Sequence, residues 1–427
     1  MRLKNPILGL LLAVGLFVTM WFYVQRILIP YQENDARAHN RPRGILSDLY
    51  PRWIGSRAVL LEHRDPYSDD VTREIQTGYY GRPIDPSRPG DPRDEQRFAY
   101  PVYVAFLLSP TLPLPFETVQ TLFRWGLFFV TGLTVLLWLR FLNWKLPTWA
   151  VVALILVVCG SFQAIQGVKL QQLSLLVAFL ISACAASLVA GNLVLAGVLL
   201  ALATIKPQLA VLPAFWLMLW GIAGWRERRR LVLGFTATLA LLIGGGEYIL
   251  PGWIPRFLSA IKAYERYTGG GSLLDLPAGR TVGALLTVVC LLGLVAILWR
   301  VRAVPAGSYQ FRTAMALVLV VTVVVVPMMA PYNQLLLLPA IFLLLGAWNE
   351  LWRRGPVIRI CLVLAAVLVL WPWAVSAILA AASFFVPAET VQRAWALPLW
   401  TSVGIPVVIL PPAFSLTMSK QTGEPAP

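Results

Sequence analysis

Apolar runs of close to twenty residues recur along this 427-residue chain, and that spacing leaves it few possible folds. Runs of this length are long enough to cross a hydrocarbon core as helices. Composition points the same way: 58% of residues are hydrophobic and 13% charged, where a soluble domain carries about 25% charge. The chain reads as an all-α, polytopic transmembrane protein forming a single integral membrane domain. Twelve spans are expected near 6–29, 118–141, 147–163, 171–190, 192–205, 207–223, 231–250, 281–299, 313–330, 333–349, 357–380 and 394–413. The first is too long for a cleaved signal peptide and no small-residue cleavage site follows it. No short repeat or heptad is visible, and the tail 418–427 is expected to be disordered.

Cys159, Cys184, Cys290 and Cys361 all lie inside apolar runs. They have no metal-ligand spacing and read as buried small hydrophobes, not as disulfides or a zinc site.

Charge placement orients the spans. With both termini inside, about +12 of the net +15 falls on the cytoplasmic segments, mostly as arginine clusters such as WRERRR. Excess Lys and Arg in short loops marks the cytoplasmic side. The positive charge is therefore topogenic, and nucleic acid is not needed to explain it.

The exception to the apolar pattern is the first extracytoplasmic loop, 30–117. Its polar part, Pro30 to Ala99, holds both histidines, eleven arginines and twelve acidic residues. The remainder, YPVYVAFLLSPTLPLPF (100–116), is apolar but broken by prolines, and reads as a re-entrant or interfacial helix. As a full span it would reverse everything after it. Near the loop's start, SDLYPRWIGSRAVLLEHRDPY (47–67) predicts a short amphipathic helix on the membrane surface. Ser47 is its expected N-cap, and DPY its closing turn. Asp48 in the first turn either pairs with Arg52 at i+4 or does chemistry. The acidic HRDPYSDD fits no trusted metal-ligand pattern and reads as a solvated turn. RPIDPSRPGDPRDEQR (82–97) reads as exposed and mobile.

The other polar groups near outer span ends are SFQAIQGVKLQQ (161–172), TIKPQ (204–208) and APYNQ (330–334). Lys169 at a span lip either snorkels to the interface or meets an anion. Lys206 precedes Pro207, which interrupts the helix. Interruptions at membrane depth line cavities or are buried in protein.

A span, then a loop opening Asp-Leu-Tyr, then a DPY turn and a Tyr-Pro re-entrant segment together resemble glycosyltransferase family 87. That group holds polyprenyl-phosphate-mannose-dependent mannosyltransferases of the GT-C superfamily. KPQ (206–208) and the late Pro-Tyr-Asn-Gln (331–334) are similar to it as well. The resemblance implies an inverting membrane enzyme at the outer face of a bacterial cytoplasmic membrane. It would move a hexose, mannose favoured, from a polyprenyl-phosphate sugar to a lipid or glycan acceptor, with no cofactor or metal. The family's first-loop base matches Asp48, with Asp65 as the alternative. Lys206, Lys169 and Arg52 are the candidates for the donor phosphate. Tyr50, Trp53, Gln172, Gln208, Tyr332 and Asn333 are the candidates for substrate contact, with Tyr103 a further aromatic. Family members often carry a histidine before a late span, a place that here reads MMAPYNQ. The competing readings are a surface-polysaccharide ligase or polymerase, and a multi-span lipid or sugar transporter.

Overall fold

The computed structural model describes residues 5–40, 47–85, 87–88, 90–269, 271–327, 330–401 and 403–418. The predicted disordered tail beyond Met418, and the two methionines of MMAPYNQ, lie outside these residues. All regular structure among the described residues is helical. Six helices are long and apolar enough to cross a membrane: Pro6–Ala38, Phe116–Leu142, Trp225–Ile249, Gly279–Val301, Pro356–Ala382 and Ala388–Thr417. A seventh is added if Thr148–Cys159 and Phe162–Lys169, bent by 58°, count as one. The chain is thus a polytopic helical protein. The rest of the twelve predicted spans correspond to shorter apolar helices: Leu173–Val189, Leu193–Ala203, Pro207–Ala223, Tyr309–Val325 and Pro331–Gly346. Near 394–413 the regular helix covers only Gly404–Thr417, after a tight turn at Leu397–Leu399.

Local chemistry sets the breaks. Asn5 opens the first helix, its side chain accepting from the amides of Ile7 and Leu8 at 3.0 and 3.4 Å, with Pro6 at the first helical position. This helix runs past the predicted end at 29, because Val24–Leu28 widens into a π turn. Pro30 has no N–H and its ring crowds the carbonyl four residues back, and the wider turn accommodates it. At the 58° bend, Ser161 caps the next helix by accepting from the Ala164 amide at 3.2 Å.

Two of the cysteines, Cys159 and Cys184, are buried as expected, whereas Cys290 and Cys361 are half-exposed. Both half-exposed ones sit on long helices whose outward faces are apolar, so exposure there is exposure of an apolar surface.

Small residues let helices approach closely. A Cβ on Gly197 would lie 2.4 Å from the Leu231 carbonyl oxygen, and one on Gly234 2.8 Å from the Val194 carbonyl oxygen. Gly197→Val is therefore expected to destabilise the protein by about 1–3 kcal/mol through overpacking. Thermal unfolding in detergent checks this, with Gly15→Val as the neutral comparison because nothing lies within 4 Å of that position.

The first loop folds into a packed unit. Its helix Leu49–Leu60 is not the predicted amphipathic surface helix. Leu49, Pro51 to Ser56, Ala58 and Val59 are all buried, so protein covers nearly every side. Gly55 lets Phe98 approach, since a Cβ there would meet its ring at 2.3 Å. Nor is Ser47 the N-cap: Asp48 holds that position without a side-chain capping bond, and the buried Ser47 hydroxyl has no hydrogen-bond partner among the described residues.

The DPY turn forms as read, with Asp65 accepting from the Tyr67 amide at 2.9 Å. Ser68 then caps a second loop helix, Asp69–Tyr80. Among the described residues no group of three metal-ligating side chains is found. The acids of HRDPYSDD are instead paired: Asp65 with Arg256 at 3.1 Å, Asp69 with Arg97 at 2.9 Å, and Asp70 with Arg73.

The stretch 82–97, predicted to be exposed and mobile, is tied down at several points. Gln76 donates to the Glu95 carbonyl at 3.1 Å and accepts from the Ile84 amide at 3.1 Å. Tyr80 donates to the Asp94 carbonyl at 2.9 Å. Arg82 grips Asp91 with two N–H groups. Those bonds, with the Asp85 amide, hold the Asp91 carboxyl well below the usual carboxylate range. A depressed folded-state pKa gives stability that is present above the ordinary carboxylate pKa and lost as pH falls through the lowered value. The segment is thus expected to become sensitive to an acid protease only in strong acid. Asp91→Asn, tested at the same pH values, is expected to be sensitive throughout.

The YPVYVAF segment forms a five-residue helix, Val104–Leu108, followed by the turn Ser109–Thr111. It is far too short to span and packs under the loop unit, with Val102 to Ala105 and Leu108 buried.

Candidate functional site

Three breaks in the apolar helices deliver polar groups to one place. The first lies between Phe162–Lys169 and Leu173–Val189. There Gln171 takes a left-handed backbone, φ 47°, rare and costly for a residue with a Cβ. Its side-chain amide secures the turn by donating to the carbonyls of Val168 and Lys169 at 2.7 and 2.8 Å. The turn exposes the Leu170 carbonyl, which accepts from the Asp48 amide at 3.0 Å, and aims Gln172 inward. The second break is at Lys206–Pro207. The third is the tight turn beginning at Pro331.

Gln172 is the hub. Its Nε2 donates to the Asp48 carboxylate and, at 3.0 Å, to the Tyr332 hydroxyl. Its Oε1 accepts from Lys206 Nζ at 3.1 Å. Lys206 also donates to the Ser174 hydroxyl, which donates to Asn333 Oδ1 at 2.9 Å. The ammonium lies 5.1 Å from the Tyr332 ring centroid, a cation–π arrangement. A continuous string thus runs from Asp48 through Gln172, Lys206 and Ser174 to Asn333.

Arg52 closes the other side. One N–H of its guanidinium donates to the backbone carbonyl of Asp48 one turn earlier, and the plane stacks 4.6 Å from the Tyr100 centroid. The expected Asp48–Arg52 carboxylate pair is therefore replaced by a bond to the main chain, which leaves the carboxylate to Gln172. Burial opposes the Arg52 charge, yet Tyr100 and Asp48 beside it hold the guanidinium protonated. Arg52 and Lys206 are 8% and 6% exposed. Among the described residues neither makes a direct ion pair with a carboxylate. Buried charges are costly unless paired; here two buried cations lie around the Asp48 carboxylate, with the Asp94 carboxyl within electrostatic reach.

Lys169 is half-buried and donates to Gln32 of the first helix, within electrostatic reach of Asp48. Of the remaining candidates, Tyr332 and Asn333 join the cluster and Gln208 does not: it is exposed on the first turn of its helix. Tyr50 and Trp53 do not present open faces for stacking on a sugar. Their rings pack against Phe116 at 4.9 and 5.4 Å, and Trp53 Nε1 donates to the Thr111 carbonyl at 3.4 Å. Tyr103 is likewise committed, donating to the Thr204 carbonyl at 2.9 Å with its ring edge-on to Trp253.

Several members were missed in the sequence. Ser174 sits inside an apolar run, where a single serine carries no signal. Asp94 lies in the stretch read as mobile, and Tyr264 in a long polar segment. Both fall within electrostatic reach of Asp48 and Arg52. Burial pushes the Asp94 carboxyl above its ordinary value, the Gln96 amide offsets part of that, and Asp48 adds to it. Asp65, the alternative base, is spent on Arg256 and the Tyr67 amide.

The arrangement offers a carboxylate held by a neutral amide, able to take a proton, and buried cations able to receive an anion. Compared with protein-family models and with curated proteins, the chain matches none.

Proposed function

We propose that the chain is an inverting glycosyltransferase of the GT-C type that moves a hexose, mannose favoured, from a polyprenyl-phosphate sugar to a lipid or glycan hydroxyl. The observation that carries this reading is the convergence of Asp48 with two buried cations, Arg52 and Lys206, neither of which has a carboxylate in direct contact among the described residues. In the reaction the acceptor oxygen attacks the anomeric carbon and its proton passes to Asp48, which acts as general base. The bond from that carbon to the phosphate oxygen breaks on the opposite face, inverting the centre. The electron pair leaves with the lipid phosphate, and Arg52 and Lys206 stabilise the growing charge. Lys169 adds to the positive field through its position near Asp48. Tyr332 and Asn333 hold Gln172 and Ser174, and through them Asp48 and Lys206, in place.

Contacts between loops support placing the site at the outer face. The segments that charge placement assigns outside touch one another: Asp48 with Leu170, Tyr103 with Thr204, Asp65 with Arg256, and Gln172 with Tyr332. Those assigned inside do the same: Arg228 bonds the carbonyls of Arg302 to Val304, and Arg354 bonds Ser415.

The test is transfer in membranes containing the full chain, with radiolabelled polyprenyl-phosphate mannose and glucose offered separately from nucleotide sugars. Transfer from a lipid-phosphate donor, giving the inverted anomer by NMR, is the expected result. Transfer from nucleotide sugars alone, or from no donor, defeats the reading.

A further inference from the structure

A second polar cleft, of about 820 Å³, opens between the amphipathic helix Trp253–Thr268 and the start of the span Gly279–Val301. It shares no lining residue with the Asp48 cluster. Lys262 and Arg266 reach it from one helix and Arg280 from the other, and all three are exposed. Among the described residues Lys262 and Arg266 form no ion pair. Arg280 donates to the Gly269 carbonyl at 2.7 Å, which steadies the guanidinium at the mouth. Two acids share the cleft. Asp275 accepts from the Ser272 amide at 2.6 Å, and with Glu265 it sets two carboxylates against three cations, which leaves the cleft net positive.

The far wall is apolar. Ala284, Val288 and Val325 line it. Val288 continues into Leu285, Val289 and Leu292, each more than half exposed on the outward face of the span. Gly279 breaks the helix with φ 75°, and Arg280 follows directly, so the cations stand where the span enters the interface. Cations at a span end, joined to an apolar wall that faces hydrocarbon, fit an amphiphile with a negative headgroup.

We propose that this cleft binds an anionic glycerophospholipid of the bilayer, with its phosphate among Lys262, Arg266 and Arg280 and one acyl chain along Ala284 and Val288. A phospholipid fits better than the sugar donor because the Asp48 cluster has its own buried cations. That preference rests on the proposed function, and the test reads lipid retention, so the two can fail separately.

The experiment is native mass spectrometry of the full chain, delipidated in detergent and titrated with phosphatidylglycerol or phosphatidylcholine. Wild type is expected to retain one phosphatidylglycerol in preference to phosphatidylcholine. Lys262→Gln with Arg266→Gln is expected to weaken that retention by about tenfold or more, from the loss of two interfacial cations. Ala284→Trp, which keeps the cations and fills the cleft, is expected to weaken it as well; this arm guards against a double variant that is merely misfolded. Arg229→Gln with Arg230→Gln, which removes two exposed arginines elsewhere, is expected to change nothing. Equal retention by wild type and both cleft variants overturns the proposal, as does an equal loss in the Arg229/Arg230 variant. Displacement by inorganic phosphate would make it a site for free phosphate, and displacement by an equimolar polyprenyl phosphate would make it a donor site. Either result also overturns the assignment to a phospholipid.

Discussion

Asp48→Asn is expected to lower sugar transfer by about 10²–10⁴-fold, the range for loss of a positioned general base, while the protein remains folded. Asparagine keeps the shape of the side chain, and its Oδ1 can still accept from Gln172 Nε2. The backbone bonds of residue 48 to Leu170 and Arg52 do not involve the side chain. What is lost is the ability to take the acceptor's proton. The measurement is the initial rate of transfer from a polyprenyl-phosphate sugar at equal expression, alongside the unfolding temperature. Activity within a few fold of wild type removes Asp48 as the base. Asp65→Asn separates the two carboxylates. Because Asp65 pairs with Arg256 and caps the DPY turn, its loss is expected to lower stability before it lowers the rate.

Lys206→Met is expected to cut transfer by about 10²–10³-fold, the size seen when one charge-stabilising donor is removed from a reaction centre. The stability effect has two opposing parts. Gln172 Oε1 and the Ser174 hydroxyl lose a donor, costing about 1–3 kcal/mol for each group left unsatisfied. Against this, a buried ammonium with no carboxylate in direct contact among the described residues no longer has to be desolvated. The expected signature is therefore a large fall in kcat with a modest change in unfolding temperature. A purely structural lysine would show the reverse: a lower unfolding temperature with kcat kept in the folded fraction. Lys206→Arg is not expected to rescue, because a planar fork cannot reproduce the point charge that serves both Gln172 and Ser174.

Much of the candidate site was visible before the fold. Lys206 announced itself through Pro207, because a proline directly after a lysine at a span lip marks a break that must be satisfied by protein. The resemblance and a first-turn position single out Asp48, i+4 spacing singles out Arg52, and the outer ends of spans single out Gln172, Tyr332 and Asn333; the structure brings them into one hydrogen-bonded group. The failures share a cause. Tyr50 and Trp53 are expected as substrate contacts, yet a ring is equally suited to packing, and Phe116 at the start of a later helix packs against both. The loop helix reads as amphipathic from its own residues, whereas packing partners such as Phe98 at Gly55 leave Arg52 and Ser56 buried along with its apolar residues. Arg52 was paired with the wrong atom of Asp48 because i+4 spacing says which residues meet, not which groups.

Hydropathy by itself determined that this chain is a helical membrane protein, since long apolar runs dominate and lipid offers their backbones no partners. Proline and polar residues at the ends of those runs marked where the helices would stop. How many runs cross the bilayer did not follow from hydropathy, because a run of eleven or seventeen residues bounded by breaks can be buried against neighbours without spanning. Which polar ends meet was decided only in three dimensions. Gln171's left-handed turn, the approach of the loop helix to Leu170, and the stacking of Arg52 on Tyr100 join residues far apart in the chain. Each depends on packing partners that no local pattern encodes.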